Sequence, residues 1–305
     1  MTTALPTPAA ALGAGRLAAV TLVVNGNASS APSGHRLAEL CELLRAAGAD
    51  VRLEVTHALG ELEALWRHDD GRRLVLAGGD GSVHAVANLG GPRREVALIP
   101  CGRANNIARS LGIPLERGAA ATLAVRGAVR PVDLIDARSR SRRLVVVESV
   151  SAGFLAHARI RYHGRNSADL RAGLRAGLGA LRDFGPLWAC VAEAGAEERL
   201  PVSQLFVANL PLYEFGLRVA PHADPMDRTL DVVLLEARSR AAVLAMLVRL
   251  RRGTHLDHRD AHVWRAGRVE LSTHGCSPVV GDSTDLGPGP VRLSVLPAAL
   301  DLVRP

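Results

Sequence analysis

Short apolar runs alternate with amphipathic stretches along the first part of the chain. "AAVTLVVNGNASS" (18–30) reads as a buried strand ending in an Asn-Gly turn. "SGHRLAELCELLRAAGAD" (33–50) reads as a helix, because Leu37, Leu40, Leu43 and Leu44 recur at helical spacing before a stop at Gly48. "VRLEVTHA" (51–58) alternates as a second strand, "GELEALWRHD" (60–69) follows as a second helix, and "RRLVLAGG" (72–79) and "REVALIP" (94–100) read as third and fourth strands. Strands alternating with helices predict an α/β fold with a parallel, doubly wound sheet over roughly the first 130 residues.

After Pro131 the texture changes. "RPVDLIDAR", "RRLVVVESVSAG", "PLWACVAEAG", "VSQLFVANL", "TLDVVLLEAR", "AHVWRAGRVELST" and "PVRLSVLP" are β-rich runs separated by turn residues, which predicts a mainly antiparallel second domain. The expected division is a disordered leader over 1–16, a nucleotide-binding unit over 17–131 and a β-rich unit over 132–305, its last strand returning to the first unit. Two helical stretches, "SADLRAGLRAGLGALRDFG" (167–185) and "SRAAVLAMLVRLRRG" (239–253), combine leucines with arginines. Each reads either as a helix packed on a core or as one resting on an anionic membrane surface.

Composition narrows the partners. The chain has 305 residues, 48% of them hydrophobic and 22% charged, enough to bury a sizeable core in about two domains. All 37 basic residues are arginine, against 30 acidic ones, so the formal charge of +7 favours anionic headgroups or phosphorylated small molecules. Aromatic residues are only 3%, and no basic stretch interleaves them, which argues against nucleic acid. Cys41, Cys101, Cys190 and Cys276 lie far apart with no CxxC pair, as expected of thiols in a reducing compartment. No apolar run approaches the ~20 residues that span a bilayer. The expectation is a cytoplasmic protein whose membrane contact is peripheral; the oligomeric state, a homodimer included, is left open.

The candidate chemistry centres on "LVLAGGDGSVHAVANLGG" (74–91). A glycine-rich strand-to-helix turn lets backbone N–H groups approach phosphate oxygens. Gly78, Gly79 and Gly81 supply that approach, Ser82 a hydroxyl, and Asp80 a carboxylate for Mg²⁺ or a ribose hydroxyl. A tight βα turn capped by Ser82 is the alternative at this point. "ALIPCGRANNIARSLGIP" (97–114) is again strand, turn and helix, and puts Asn105, Asn106 and Arg109 on a second loop of the same sheet edge.

With these segments the chain resembles the diacylglycerol kinase catalytic-domain family, which includes bacterial lipid kinases and sphingosine kinases. "GGDGS" looks like its nucleotide loop and "PCGRANNIARSLGIP" like its PxGTxNDxAR-x-LGIP element; "ESVSAGFLAHA", "APHADPMDRTLDVVLL", "RRGTHLDHRDAHVWRAGRVELS" and "VVGDSTDLGPGPVRLSVLPAALDLVRP" extend the likeness to Pro305. The resemblance implies an amino-terminal α/β domain and a carboxy-terminal β-sandwich domain, with ATP, Mg²⁺ and a lipid substrate meeting between them. By position it implies a first phosphate-side loop at Asn25, Gly26 and Asn27, Thr56 near the adenosine, and Gly78 to Ser82, Gly102, Arg103 and Asn105 at the nucleotide. It implies metal ligands at Asp80, Asp224 and Asp227, and Asp282 at the acidic Asp of the family's Asp-Gly-Glu.

Four departures bear on activity. The first loop reads Asn-Gly-Asn-Ala-Ser in place of Asn-Pro-x-Ser-Gly. Arg103 replaces a threonine, Asn106 replaces an aspartate, and Asp282-Ser283-Thr284 replaces Asp-Gly-Glu, losing the glutamate commonly given the proton-acceptor role. The expectation is an ATP-dependent lipid kinase in which Asp282 and Asp285 supply the remaining base function, or a catalytically impaired relative that binds nucleotide, lipid or a partner.

Overall fold

The computed structural model describes residues 17–28, 31–162, 170–182, 187–193, 196–273, 278–287 and 290–305. The expectations for the leader, for Ser29, for Cys276 and for the side chains of Leu170, Arg171 and Leu174 fall outside what is described.

Strands β1 (Ala18–Asn25), β2 (Ala49–Thr56), β3 (Arg73–Gly78) and β4 (Glu95–Pro100) pair in parallel in the order β2-β1-β3-β4. Helices α1 (His35–Ala46), α2 (Leu59–Arg67), α3 (Asp80–Ala87), α4 (Asn106–Ser110) and α5 (Arg117–Arg126) connect or follow them. The period of two along a strand divides each strand's apolar residues between two cores. Leu74 and Leu76 of β3 join Leu62, Val83 and Ile107 from α2, α3 and α4, whereas Val75 and Ala77 join Leu40, Leu44 and Ala121 from α1 and α5. The chain leaves α1 through Gly48, whose φ of +100° suits glycine and turns it into β2.

The second part contains β5 (Ala128–Arg138), β6 (Arg143–Val146), β7 (Ser149–Gly153), α6 (Phe154–Tyr162), α7 (Leu170–Arg182), β8 (Leu187–Glu193), β9 (Ala196–Val202), β10 (Gln204–Ala208), β11 (Leu212–Tyr213) and β12 (Leu217–Arg218). It continues with β13 (Leu230–Leu235), α8 (Arg240–Arg252), β14 (Ala261–Ala266), β15 (Arg268–Thr273), β16 (Val279–Gly281), β17 (Thr284–Gly287) and β18 (Val291–Arg304). An antiparallel sheet in the order β14-β13-β10-β7-β16-β17 packs on the far end of the first sheet. Ile135, Val146, Val150, Leu205, Val232, Val279 and Leu293 form the sandwich core between them.

β18 joins the four parallel strands to the antiparallel strands β5, β6, β15, β8 and β9 in one ten-stranded sheet. It runs antiparallel to β5 and β15, and at Asp301 and Leu302 it pairs in parallel with Glu95 and Val96 of β4. Its predicted counterpart ended at Pro297, where the pattern breaks. The strand in fact continues through an irregularity between Leu296 and Leu300, with Ala298 at a φ of +51° and its N–H held by Asp133 Oδ1 at 2.7 Å.

Candidate active site

The carboxyl ends of β2, β1, β3 and β4 share one edge, and the chain order reverses beside β1, the place where open α/β sheets bind ligands. Asn25, Gly26, Asn27 and Thr56 form one corner of that edge. Asn25 Oδ1 accepts from Asn27 N at 3.0 Å, Gly26 N donates to Thr56 O at 2.8 Å, and the Asn27 amide donates to His57 O. Buried Thr56 turns its hydroxyl to Val24 O at 3.4 Å.

The glycine-rich turn follows β3. A Cβ on Gly79 would lie 2.9 Å from the Gly102 Cα, and one on Gly102 would lie 2.6 Å from the Gly79 Cα. Two glycines are what let the second loop rest directly on the first. Asn105, at a φ of +48°, clasps Gly102 from both sides, accepting from its N–H at 3.0 Å and donating to its carbonyl at 2.8 Å. Asp80 Oδ1 accepts the Ile107 N–H at 2.9 Å, which ties the start of α3 to the start of α4. Gly79 occupies the cap of α3 and Ser82 lies inside the helix, so Ser82 is no capping residue. Gly81 is exposed, and a Cβ there would meet nothing within 4 Å. The surface beside Gly81, in the first turn of α3, is therefore open, and at that end of a helix backbone N–H groups and the helix dipole favour an anion. Arg103 is exposed on the tip of the second loop.

One turn further along α3, among the described residues, stands a cluster of titratable groups of which sequence reasoning found Asp282 and missed His84 and Glu148. His84, Glu148 and Asp282 bring their ligand-type atoms within 4.8 Å of one another. His84 Nε2 lies 3.0 Å from Glu148 Oε1 and 3.4 Å from Asp282 Oδ2, as close ion pairs without the alignment of a hydrogen bond. Burial opposes charge on this ring. The Asp282 charge, the contact with Glu148 and the Asp80 charge outweigh it and push the His84 pKa up to about 9. Burial also raises the Glu148 carboxyl, against the pull of His84. Asn106 Nδ2 donates to Glu148 Oε2 at 3.2 Å, so an amide at position 106 is compatible with a carboxylate at 148 where a second carboxylate would repel it. The first residue beyond α3, Asn88, clasps Val145 through both amide atoms, fixing the helix to β6.

The structure brings Asp282 into this cluster and leaves Asp285 outside it. Asp282, at a φ of +49°, accepts from the backbone N–H groups of Val147 at 2.9 Å, Glu148 at 2.9 Å and Ser149 at 3.3 Å. Its carboxylate fastens β7 to the β16–β17 turn. Asp285 is exposed and accepts from Gly287 N at 2.8 Å, while Thr284, beside it, is half-buried. Asp224 and Asp227 share a turn outside this group. Asp224 Oδ1 accepts from Met226 N, Asp227 Oδ1 accepts from Thr229 N and Oγ1, and Asp227 Oδ2 lies 3.6 Å from Arg265. Asp80, like Asp224, accepts one backbone N–H on one oxygen, and because each carboxylate oxygen carries two lone pairs such a contact leaves acceptor capacity on the group.

A signal for the missed pair existed. In "RRLVVVESVSAG" a glutamate interrupts an apolar run, and a buried carboxylate demands a partner. His84 sits inside the quoted turn segment, four residues after Asp80.

Two family models account for most of the chain. The diacylglycerol kinase catalytic domain matches residues 19–137 and the YegS C-terminal NAD kinase beta sandwich-like domain matches residues 148–304. The diacylglycerol kinase of Mycobacterium tuberculosis (strain H37Rv) is 29% identical over 249 residues, 76% of this chain and 76% of that one. That of Bacillus subtilis (strain 168) is 34% identical over 107 residues, 32% of this chain and 35% of that one. A crystal structure of a diacylglycerol kinase from Bacillus anthracis str. Sterne shares the fold, with a TM-score of 0.68 at 18% identity over 95% of this chain and 98% of that one. The protein therefore belongs to the diacylglycerol kinase catalytic-domain family of lipid kinases, with a YegS-type β-sandwich as its second domain.

Proposed function

We propose that the protein transfers the γ-phosphoryl group of ATP to a hydroxyl of diacylglycerol or a related neutral or sphingoid lipid. The observation that carries this reading is the seating of the Gly102 loop on the Gly79 turn, with an open surface beside Gly81 in the first turn of α3 and a buried acid–imidazole group one turn behind it. Phosphoryl transfer needs phosphate positioning, charge neutralisation and a group to orient or deprotonate the acceptor. The α3 amino end serves the first need. Arg103 would serve the second, together with a magnesium ion that Asp80 would hold and that would supply positive charge beside the phosphates.

The lipid would arrive from a membrane surface. No helix among the described residues is long and apolar enough to cross a bilayer. On α8, Leu244 and Val248 are 50% and 48% exposed, next to exposed Arg251 and Arg252, a combination suited to an anionic interface. The site residues assigned in this reading are Asn25, Gly26, Asn27, Thr56, Gly78 to Ser82, Gly102, Arg103 and Asn105 for the nucleotide.

A second reading, a family member that binds nucleotide or lipid without turnover, is favoured by Thr284, which offers no carboxylate, and by the commitment of Asp282 to backbone donors. One experiment separates the two. Calorimetry with Mg·ATP is followed by transfer of labelled γ-phosphate to diacylglycerol, ceramide and sphingosine in mixed micelles. Binding with transfer is expected; binding without transfer to any of the three establishes the second reading, and absence of binding by folded protein removes both.

A further inference from the structure

Glu148 is a nearly buried carboxylate set 3.0 Å from the His84 ring. It ends an apolar run, its side chain is 10% exposed, and an ionised carboxylate so placed costs several kcal/mol unless partners compensate. An amide would serve equally well as a partner for Asn106. The chain nevertheless keeps a carboxylate and sets against it the buried Nε2 of His84, which has no aligned hydrogen bond. The backbone of Glu148 is locked: its carbonyl accepts from Asn209 N at 2.9 Å and Leu210 N at 3.1 Å, and its N–H donates to Asp282. Its side chain meets Asn106, and the next residue, Ile107, is held by Asp80 of the glycine-rich turn. Two hydrogen bonds thus connect Glu148 to the loop proposed to carry the phosphates.

We propose that Glu148 is the catalytic residue that accepts the proton of the acceptor hydroxyl, with His84 as its positioning partner; this rests on the kinase reading above. The acceptor oxygen forms a bond to the γ-phosphorus. The bond from that phosphorus to the β–γ bridging oxygen breaks, its electron pair leaving with ADP, and the hydroxyl proton passes to a Glu148 carboxylate oxygen. Burial makes that carboxylate a stronger base than one in water. Asp282 is less suited, because three backbone N–H groups hold its charge. The titratable groups facing Glu148 are Asp80 and His84 from α3, Asp282 from the β16–β17 turn, and Tyr213 and Glu214 following β10.

The test compares full-length wild type with Glu148→Gln, which keeps the shape and the Asn106 contact. Melting temperature and Mg·ATP affinity are measured beside lipid phosphorylation and slow ATP hydrolysis, in which water replaces the lipid. The expected result is a loss of kcat of about 100-fold or more, ATP affinity within about 3-fold of wild type, and disappearance of the acidic limb of the kcat–pH profile. Should Glu148→Gln fail to fold, Glu148→Asp takes its place, with kcat lowered about 10-fold and the acidic limb displaced. Lipid phosphorylation by the variant within about 3-fold of wild type, or an unchanged acidic limb, overturns the assignment and leaves the kinase reading intact. ATP hydrolysis that depends on Glu148 without transfer to any lipid overturns the kinase reading and keeps the base. A wild type that binds Mg·ATP and transfers phosphate to neither lipid nor water overturns both.

Discussion

Asp80 accepts the backbone N–H of Ile107 at 2.9 Å, so the residue at the start of one loop helix holds the start of the next. Asp80→Ala removes this charge-assisted bond and the carboxylate offered to a cation. Mg·ATP affinity is expected to fall at least 10-fold by calorimetry, and stability by about 1–3 kcal/mol in urea unfolding. Asp80→Asn, which keeps an acceptor for Ile107, should recover most of the stability and little of the affinity.

Gly102→Ala places a Cβ 2.6 Å from the Gly79 Cα, a contact that backbone must move to relieve. The second loop is expected to lift off the first. Nucleotide affinity should fall about 10-fold or more while the sandwich core is untouched, checked by calorimetry and by near-ultraviolet circular dichroism.

Asp282→Ala strips the acceptor from three backbone N–H groups and removes one of two carboxylates facing His84. A destabilisation on the order of 3 kcal/mol is expected, read as a lowered urea midpoint with an unchanged slope. A loss below about 1 kcal/mol would mean that the turn is held by other contacts.

His84 gives stability a pH dependence with a definite sign. Its folded-state pKa of about 9 lies above the ordinary histidine value, so its contribution is fully present below about pH 6.5 and is lost as pH rises through 9. Wild type minus His84→Gln stability, measured in urea from pH 6 to 10, should shrink across that window. A flat difference would show that the ring is neutral in the folded protein.

Leu244 and Val248 on α8 predict a membrane-facing surface that can be switched off without touching the cleft. Leu244→Asp with Val248→Asp should reduce co-sedimentation with phosphatidylglycerol vesicles at least 5-fold and leave Mg·ATP affinity unchanged. Equal binding by wild type and variant would place the lipid contact elsewhere.

Most of the first sheet was legible because β1, β3 and β4 are buried on both faces, where a continuous apolar run such as Leu74 to Ala77 declares itself, and because the edge strand β2 alternates. The second layer was less so. β9 reads "AEERLPV", with too many charges for a strand pattern, and β16 is only three residues long. Pro297 and Ala298 break the pattern of β18, although hydrogen bonds from outside the strand carry it past the break. The glycines of the candidate site were visible as a turn signal. The pairing of His84 with Glu148 was not, since it depends on a contact between α3 and the start of β7 that local periodicity does not encode.

The return of β18 to β4 also governs how the chain acquires its shape. Leu302 and Val303 fill opposite faces of the amino-terminal sheet, and Asp301 pairs with Glu95 across roughly 200 intervening residues. A nascent chain can form β1 to β4 early, but the flank of β4 stays open until the whole sandwich has been synthesised. Closure of so distant a pairing is slow, and it makes the two domains one cooperative unit. A single denaturation transition follows from this, and so does a vulnerability: until β18 docks, β4 is an open edge that offers the folding chain a template for aggregation.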